Sequence, residues 1–422
     1  MDSFALSIPF EKLIQNLRYW LENSEPSCFL VLLSGNQKNC PEPTFKKIVV
    51  GTSSNQLNCI SNFNEIPSDF NGIPILGYLS YELKNEFEDL SSTGKKLNDF
   101  NNSFFFQPEF YFEVDKNDTV YTNNLNLFNE IIETEVSDFY PYSTSYIPFS
   151  SDVSDGEYLD NIQYIKDQIT EGNVYELNYC RNFSAQSKID PYHFFSLISK
   201  ENPTPYSFFF KLKEDYLVSS SMERFLTKRK DVLTSQPIKG TIRNSQNTFL
   251  EETQTLLNSE KERAENLMIV DLVRNDLSKC STTGSVSVDE LFGVYSYPNV
   301  HQMISTVSSQ VSPFTSFQEI IKSLFPMGSM TGAPKLSAMK IIDSIESFQR
   351  GVFSGSFGYI EPNGDFDFNV VIRTLFYNSK THEINIPVGS AITIDSIAQD
   401  ELNECSLKIE LIKQLVSKCA LP

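Results

Sequence analysis

The chain is short of the residues that build familiar metal and nucleophile sites. Its seven cysteines (Cys28, Cys40, Cys59, Cys180, Cys280, Cys405 and Cys419) are odd in number, scattered and without a Cys-x-x-Cys pair. That pattern fits free thiols in a reducing cytoplasm better than a disulfide frame or a zinc site. There are three histidines in 422 residues and no Gly-x-Ser-x-Gly elbow, so a serine-histidine-acid nucleophile lacks its parts. Basic residues are outnumbered, 34 against 54 acidic ones, for a net charge of −20, and no basic run exists. Nucleic acid and anionic membrane surfaces are therefore poor partners, and a small anionic substrate would need a local cluster of cations or a metal. No apolar run approaches a membrane span, and the first residues lack the basic head and apolar core of a signal peptide. A soluble cytoplasmic protein is expected. Neither a Walker A loop nor Gly-x-Gly-x-x-Gly is present, so nucleotide binding has little support.

What the chain has in quantity is aromatic: 34 phenylalanines and 19 tyrosines, enough for packed aromatic layers. Residues 1–150 mix short apolar runs with Asn, Ser and Pro, and predict strands at Cys28–Leu33, Lys46–Val50 and Ile73–Tyr81. Tyr142–Gly156 is the candidate boundary, and residues 151–422 form the second region. Ser154 and Glu157 have capping-box spacing, and Leu159, Ile162, Ile165 and Ile169 share a helical face that Gly172 ends. The pattern then predicts a strand over 173–181, a helix over 191–200, a hairpin over 208–221 and one long helix over 251–277. Further strands are expected over 286–296, 301–311, 353–361, 366–376 and 384–394. Helices are expected over 317–324, 335–349 and 399–416.

Chemistry concentrates in a few places. Lys239 stands between a strand-like run and Gly240-Thr241, where the backbone can turn and approach a ligand closely. Against apolar Ile238 it would lose hydration, and its free amine would be a nucleophile with Glu223 as acid partner. A solvated strand-end lysine would leave the same local pattern. At 100° per residue Glu401, Glu404 and Lys408 share one stripe of the last helix. They fit either a solvated ion pair or, with Glu262 and Glu265 facing them, an oxygen-rich Mg²⁺ site. Arg373 suits a substrate carboxylate or a plain surface position. Gly389, Ser390 and Ala391 offer backbone N–H groups as a second carboxylate cradle. His301 reads either as a core histidine or as a substrate-orienting donor.

Taken in order, Ser220–Phe225, Gln236–Thr241, Glu265–Asp276, Phe325–Lys335, Gly351–Tyr359, Ile372–Thr374, Gly389–Ser396 and Glu401–Lys408 resemble the motifs of the chorismate-utilising enzymes. These include aminodeoxychorismate synthase component I (the para-aminobenzoate synthase large subunit), anthranilate synthase component I, and the isochorismate and salicylate synthases. The resemblance covers roughly residues 155–415. It implies an α+β fold of two antiparallel sheets packed as a sandwich with helices outside, residues 1–150 contributing to the same body and 151–422 binding chorismate. It implies Mg²⁺ on Glu265 and Glu404, supported by Glu262 and Glu401. Substrate would be held by Arg373, Lys408, the Gly389 loop, Gly240 and Thr241. Phe353 stands where a tyrosine hydroxyl would touch substrate, and Ala391 where glycine is common. Position 239 separates the subfamilies: Pro-Ile-Lys-Gly-Thr resembles the aminodeoxychorismate synthases, Pro-Ile-Ala-Gly-Thr the anthranilate synthases. The implied reaction aminates chorismate to 4-amino-4-deoxychorismate, for p-aminobenzoate and folate synthesis. Lys239 attacks C2, Glu223 assists departure of the C4 hydroxyl, and ammonia from a separate glutamine amidotransferase subunit displaces the lysine. Glu176 stands where water-activating relatives carry a lysine and where glutamine is common. Anthranilate synthase component I and a non-catalytic chorismate-binding relative are the alternatives.

Overall fold

Cys28–Leu33 is six apolar residues long and every one is buried. An unbroken apolar strand has no solvent face, so both of its sides must be covered. The computed structural model, which describes residues 1–35, 41, 46–54, 59–67, 72–134, 136, 145–244, 249–297 and 299–421, shows how. Cys28, Leu30 and Leu32 point into one core, and Phe29, Val31 and Leu33 into another. The strand beside it, Ser207–Leu212, divides its phenylalanines the same way, Phe208 and Phe210 to one side and Phe209 to the other.

The architecture is α+β. Among the described residues, one antiparallel sheet runs Asp2–Ala5, Thr119–Thr122, Phe110–Val114, Ile48–Ser53, Cys28–Leu33, Ser207–Leu212, Asp215–Ser219, Thr374–Asn378, Glu383–Ile392, Glu176–Gln186, Ser150–Ser151. The other runs Ile238–Arg243, Val300–Gln310, Val232–Gln236, Arg224–Arg229, Phe366–Asn369, Ser356–Ile360, Ile75–Leu79, Ser103–Phe106, Cys59–Ile60. The core between them is aromatic: Phe208 stacks on Phe357 with ring centres 4.1 Å apart, and Tyr78 packs edge-on against Phe210. The outer core of the first sheet is closed by helices Phe10–Ser24, Asp155–Thr170, Pro191–Glu201 and Ala398–Lys418. Helices Glu260–Ser278 and Phe317–Leu324 cover the second. Segments from both ends of the chain pair in each sheet: Leu32 opposite Phe208 in one, Gly77 opposite Gly358 in the other.

Three expectations change. The long helix over 251–277 is two, Phe249–Asn258 and Glu260–Ser278. Ser259 leaves the helical region, and its side chain accepts the Glu262 N–H to start the second. The helix from Lys335 stops at Ile345, and Phe348–Gln349 is a short strand paired in parallel with Lys95–Lys96. The strand over 366–376 is two, in different sheets. Ser154 does accept the Glu157 N–H, and the helix it starts, Asp155–Thr170, ends ahead of Gly172 at φ 81. Residues 142–144 of the candidate boundary, and Cys40, lie outside the described residues. The six described cysteines are unpaired, and no described helix is long and apolar enough to cross a membrane.

Candidate active site

Two adjacent crossings between the sheets build the centre of the site. The chain leaves the first sheet at Ser219 and enters the second at Arg224; further on it leaves the second at Asn369 and re-enters the first at Thr374. Ser219 pairs with Thr374 and Arg224 with Asn369, so the crossings lie side by side. They are stitched together by Val370 N–H to Glu223 O at 2.9 Å, Ser220 N–H to Arg373 O at 3.2 Å and Ser221 Oγ to Val370 O at 2.6 Å. Arg373 takes φ 53, a left-handed conformation that costs energy in a side-chain-bearing residue and recurs at functional positions. Glu223 and Arg373 thus face one cleft of about 670 Å³.

Lys239 enters that cleft from Ile238–Arg243, where pairing with Val300–Gln310 shifts register between Ile238 and Thr241. Gly240 makes the shift possible. Its φ is 97, and a Cβ there would lie 3.2 Å from Glu262 Oε2 and from Met303 Cβ. Asn266 holds the lysine backbone: its Nδ2 donates to Lys239 O at 3.2 Å and Met303 O at 3.3 Å, while its Oδ1 accepts from Ser305 Oγ at 2.5 Å. The surroundings of the amine are not the apolar ones expected. Lys239 Nζ lies 3.8 Å from Glu176 Oε2 and is within electrostatic reach of Glu223, Glu262 and Glu265.

Burial dominates the acids here. It pushes the Glu223 carboxyl up to about 7, against the opposing pull of a Ser329 hydrogen bond and Lys239. It pushes Glu265 to about 7 as well, with Lys239 opposing and Glu262 reinforcing. Glu262 is raised by burial and by the charges of Glu404 and Glu401 on the last helix. Glu404 goes the other way: burial is outweighed by Lys408, Arg373 and Lys261. Lys408 binds Glu404 Oε1 at 2.5 Å and donates to Gly389 O at 2.9 Å, and Arg373 Nη1 donates to Lys408 O at 2.8 Å. Ser396 Oγ donates to buried Glu401 at 2.9 Å. At Gly389 a Cβ would fall 2.4 Å from Cys180 Sγ, so only glycine lets these strands approach so closely.

The two acidic pairs therefore face each other on separate helices. Among the described residues no three Asp, Glu, His or Cys side chains converge as a ready-made cage. The donors are nevertheless all carboxylate oxygens, and Glu404 and Glu401 raise the proton affinity of Glu262 from across the cleft, a crowding of like charge that a hard, water-retaining divalent cation neutralises.

Every site candidate read from the sequence lines the cleft except His301. That ring is buried, with Nδ1 2.8 Å from Ser296 Oγ and Nε2 3.1 Å from Glu252 Oε2. Sequence reasoning missed Asn178, Asn266, Gln302 and Ser329. Asn266 had a legible signal: it interrupts the apolar stripe that Ile269, Val270 and Val273 continue, and a buried polar group needs partners. Asn178 and Gln302 sit on strands and Ser329 in a single 3-10 turn, Gly328–Met330, and their facing is set only by the assembled sheets.

The family model described as chorismate binding enzyme matches residues 21–414. The chloroplastic aminodeoxychorismate synthase of Arabidopsis thaliana is 42% identical over 275 residues, covering 63% of this chain and 29% of that protein. Aminodeoxychorismate synthase component 1 of Escherichia coli strain K12 is 34% identical over 270 residues, 63% of this chain and 59% of its own length. These matches span less than two thirds of either relative. Anthranilate synthase component 1 of Saccharolobus solfataricus is 31% identical over 359 residues, 83% of this chain and 82% of that one. Among solved structures, anthranilate synthase component I from Streptococcus pneumoniae TIGR4 superposes with a TM-score of 0.74 at 23% identity, over 92% of both chains. The isochorismate synthase MenF of Escherichia coli also gives 0.74, at 14% identity, over 98% of this chain and 94% of its own. At such identities the structural likeness speaks for the fold.

Proposed function

Since the chain belongs to the chorismate-binding enzymes, we propose that it aminates chorismate with ammonia to 4-amino-4-deoxychorismate, a step toward p-aminobenzoate and folate. The observation that carries this reading is Lys239 in one cleft with Glu223, a buried carboxyl that desolvation pushes up to about 7. In this reading Lys239 Nζ attacks C2 of the ring. Glu223, whose carboxyl titrates at about 7, gives its proton to the departing C4 hydroxyl, which leaves as water. Ammonia then bonds to C4, the bond from C2 to Lys239 breaks, and the nitrogen returns its surplus proton to Glu223. Arg373, Lys408 and the N–H groups of Gly389, Ser390 and Ala391 would hold the substrate carboxylates, with Gly240 and Thr241 leaving room at the ring. Glu265 and Glu404, supported by Glu262 and Glu401, would hold Mg²⁺, which supplies positive charge for a carboxylate in an otherwise acidic cleft. A separate glutamine amidotransferase subunit would supply the ammonia, and free ammonium should replace it.

Purified protein incubated with chorismate, Mg²⁺ and ammonium should yield 4-amino-4-deoxychorismate by mass spectrometry, with activity lost to chelator and restored by Mg²⁺. The match to the Saccharolobus anthranilate synthase, over 83% of this chain, supports a second reading, and direct formation of anthranilate would select it. Saturable chorismate binding without turnover would point instead to a non-catalytic relative.

A further inference from the structure

Lys239 attacks only as a free amine, and the groups that face it decide where its proton goes. Four carboxylates do so from three elements: Glu176 at the start of strand Glu176–Gln186, Glu223 at the sheet crossing, and Glu262 and Glu265 on helix Glu260–Ser278. Glu223, Glu262 and Glu265 line the cleft and would meet substrate or metal. Glu176 does not line it. It is 2% exposed, and its Oε2, the atom 3.8 Å from Lys239 Nζ, has no hydrogen-bond partner among the described residues. A buried carboxylate oxygen without a donor is costly unless it has a use.

The backbone around it is clamped. Glu176 pairs with Ala333, Tyr175 N–H donates to Ala333 O at 2.6 Å, and Gly332 packs so closely that a Cβ there would lie 2.2 Å from Glu176 O. The carboxylate is therefore delivered to Lys239 by two elements. The same carboxylate also acts on Glu265, whose proton affinity it raises.

We infer that Glu176 is the base for Lys239: its Oε2 takes a proton from the Lys239 ammonium before attack and gives it back when ammonia expels the lysine. The balance closes. Lys239 enters as ammonium and becomes a neutral amine as Glu176 becomes a carboxylic acid. The amine lone pair forms the bond to C2, and breaking that bond returns the pair to nitrogen. The Glu176 proton then restores the ammonium, while Glu223 handles the separate proton of the leaving water and the incoming ammonia.

The inference rests on the amination reading, and two measurements separate its failure from the failure of that reading. With ammonium and chorismate, E176Q should lose about 100-fold in kcat near neutral pH and recover as alkaline solvent takes over deprotonation, while KM for chorismate stays within about twofold. Independently of chorismate, carbamylation of Lys239 by cyanate, followed by peptide mass spectrometry, should be about tenfold slower at pH 7 in E176Q, where the ammonium has no carboxylate to take its proton. An E176Q protein that keeps the wild-type pH profile overturns the base assignment. Unchanged carbamylation overturns the contact itself. A wild-type protein that makes no 4-amino-4-deoxychorismate removes the reaction, yet still leaves the Glu176 to Lys239 contact open to the cyanate measurement.

Discussion

Arg350 and Lys239 are both cations opposite a buried glutamate, but the two pairs are built differently. Arg350 engages Glu346 through Nη2 at 2.6 Å and Nε at 2.8 Å, and its remaining donors reach Met330 O at 2.6 Å and Asn178 O at 2.7 Å. Arg224 and Asp367 repeat the forked arrangement, with two contacts at 3.0 Å. Lys239 meets Glu176 at 3.8 Å with a carboxylate oxygen left unsatisfied. A planar guanidinium whose donors are spoken for holds parts of the fold in register and has no proton to give. An amine at loose range keeps the freedom to exchange its proton and to react. The satisfied pairs frame the cleft, since Asn178 and Met330 both line it, and the unsatisfied one lies where the chemistry is proposed.

The comparison breaks most sharply at Lys239. A K239A protein should fold as the parent does and lose amination with ammonium by about 10³-fold or more. Full activity in a product assay would mean that the lysine takes no covalent part. R350M should do the reverse. Removing one member of a buried pair strands the other charge and costs about 3–5 kcal/mol, read as a fall in the denaturation midpoint. An unchanged midpoint would make the forked pair dispensable.

Glu223 sharpens the contrast through pH. Its folded-state carboxyl titrates at about 7, above the ordinary 4.5, so its contribution to stability is full at acid pH and is lost as pH rises through 7. The neutral isostere in E223Q should therefore stabilise the ligand-free protein at pH 8 by on the order of 1–3 kcal/mol relative to wild type, with little difference near pH 4.5, while lowering turnover by about 100-fold. Denaturant titrations at the two pH values check the sign. S396A should show the smallest effect: losing the bond to Glu401 costs about 0.5–1.5 kcal/mol and leaves a buried carboxylate less well held.

Much of this was legible in one dimension. The apolar run Cys28–Leu33 read as a strand, and the helical period of the last helix set Leu402, Cys405, Ile409, Ile412 and Val416 on one face, which the fold buries. The polar stripe beside it carried Glu401, Glu404 and Lys408 to the cleft. The apolar run over 366–376 misled, because strand periodicity registers burial and is blind to which sheet buries the residue. The break at Arg373 lies in a backbone dihedral, and arginine gives no warning of a left-handed φ as glycine would. His301 misled differently: a histidine between strand residues points to one of two faces, and the partners waiting at Ser296 and Glu252 lie 5 and 49 positions away.

By itself the sequence determined the α+β character, the order of the motifs and the identity of a lysine where the backbone must turn, since periodicity and glycine placement are local properties. Only the tertiary structure decided that two sheet crossings lie side by side, that four glutamates face one another across a cleft, and that Glu176 stands unsatisfied beside Lys239. Those are distances between residues tens to hundreds of positions apart, and the packing of two sheets sets them all at once.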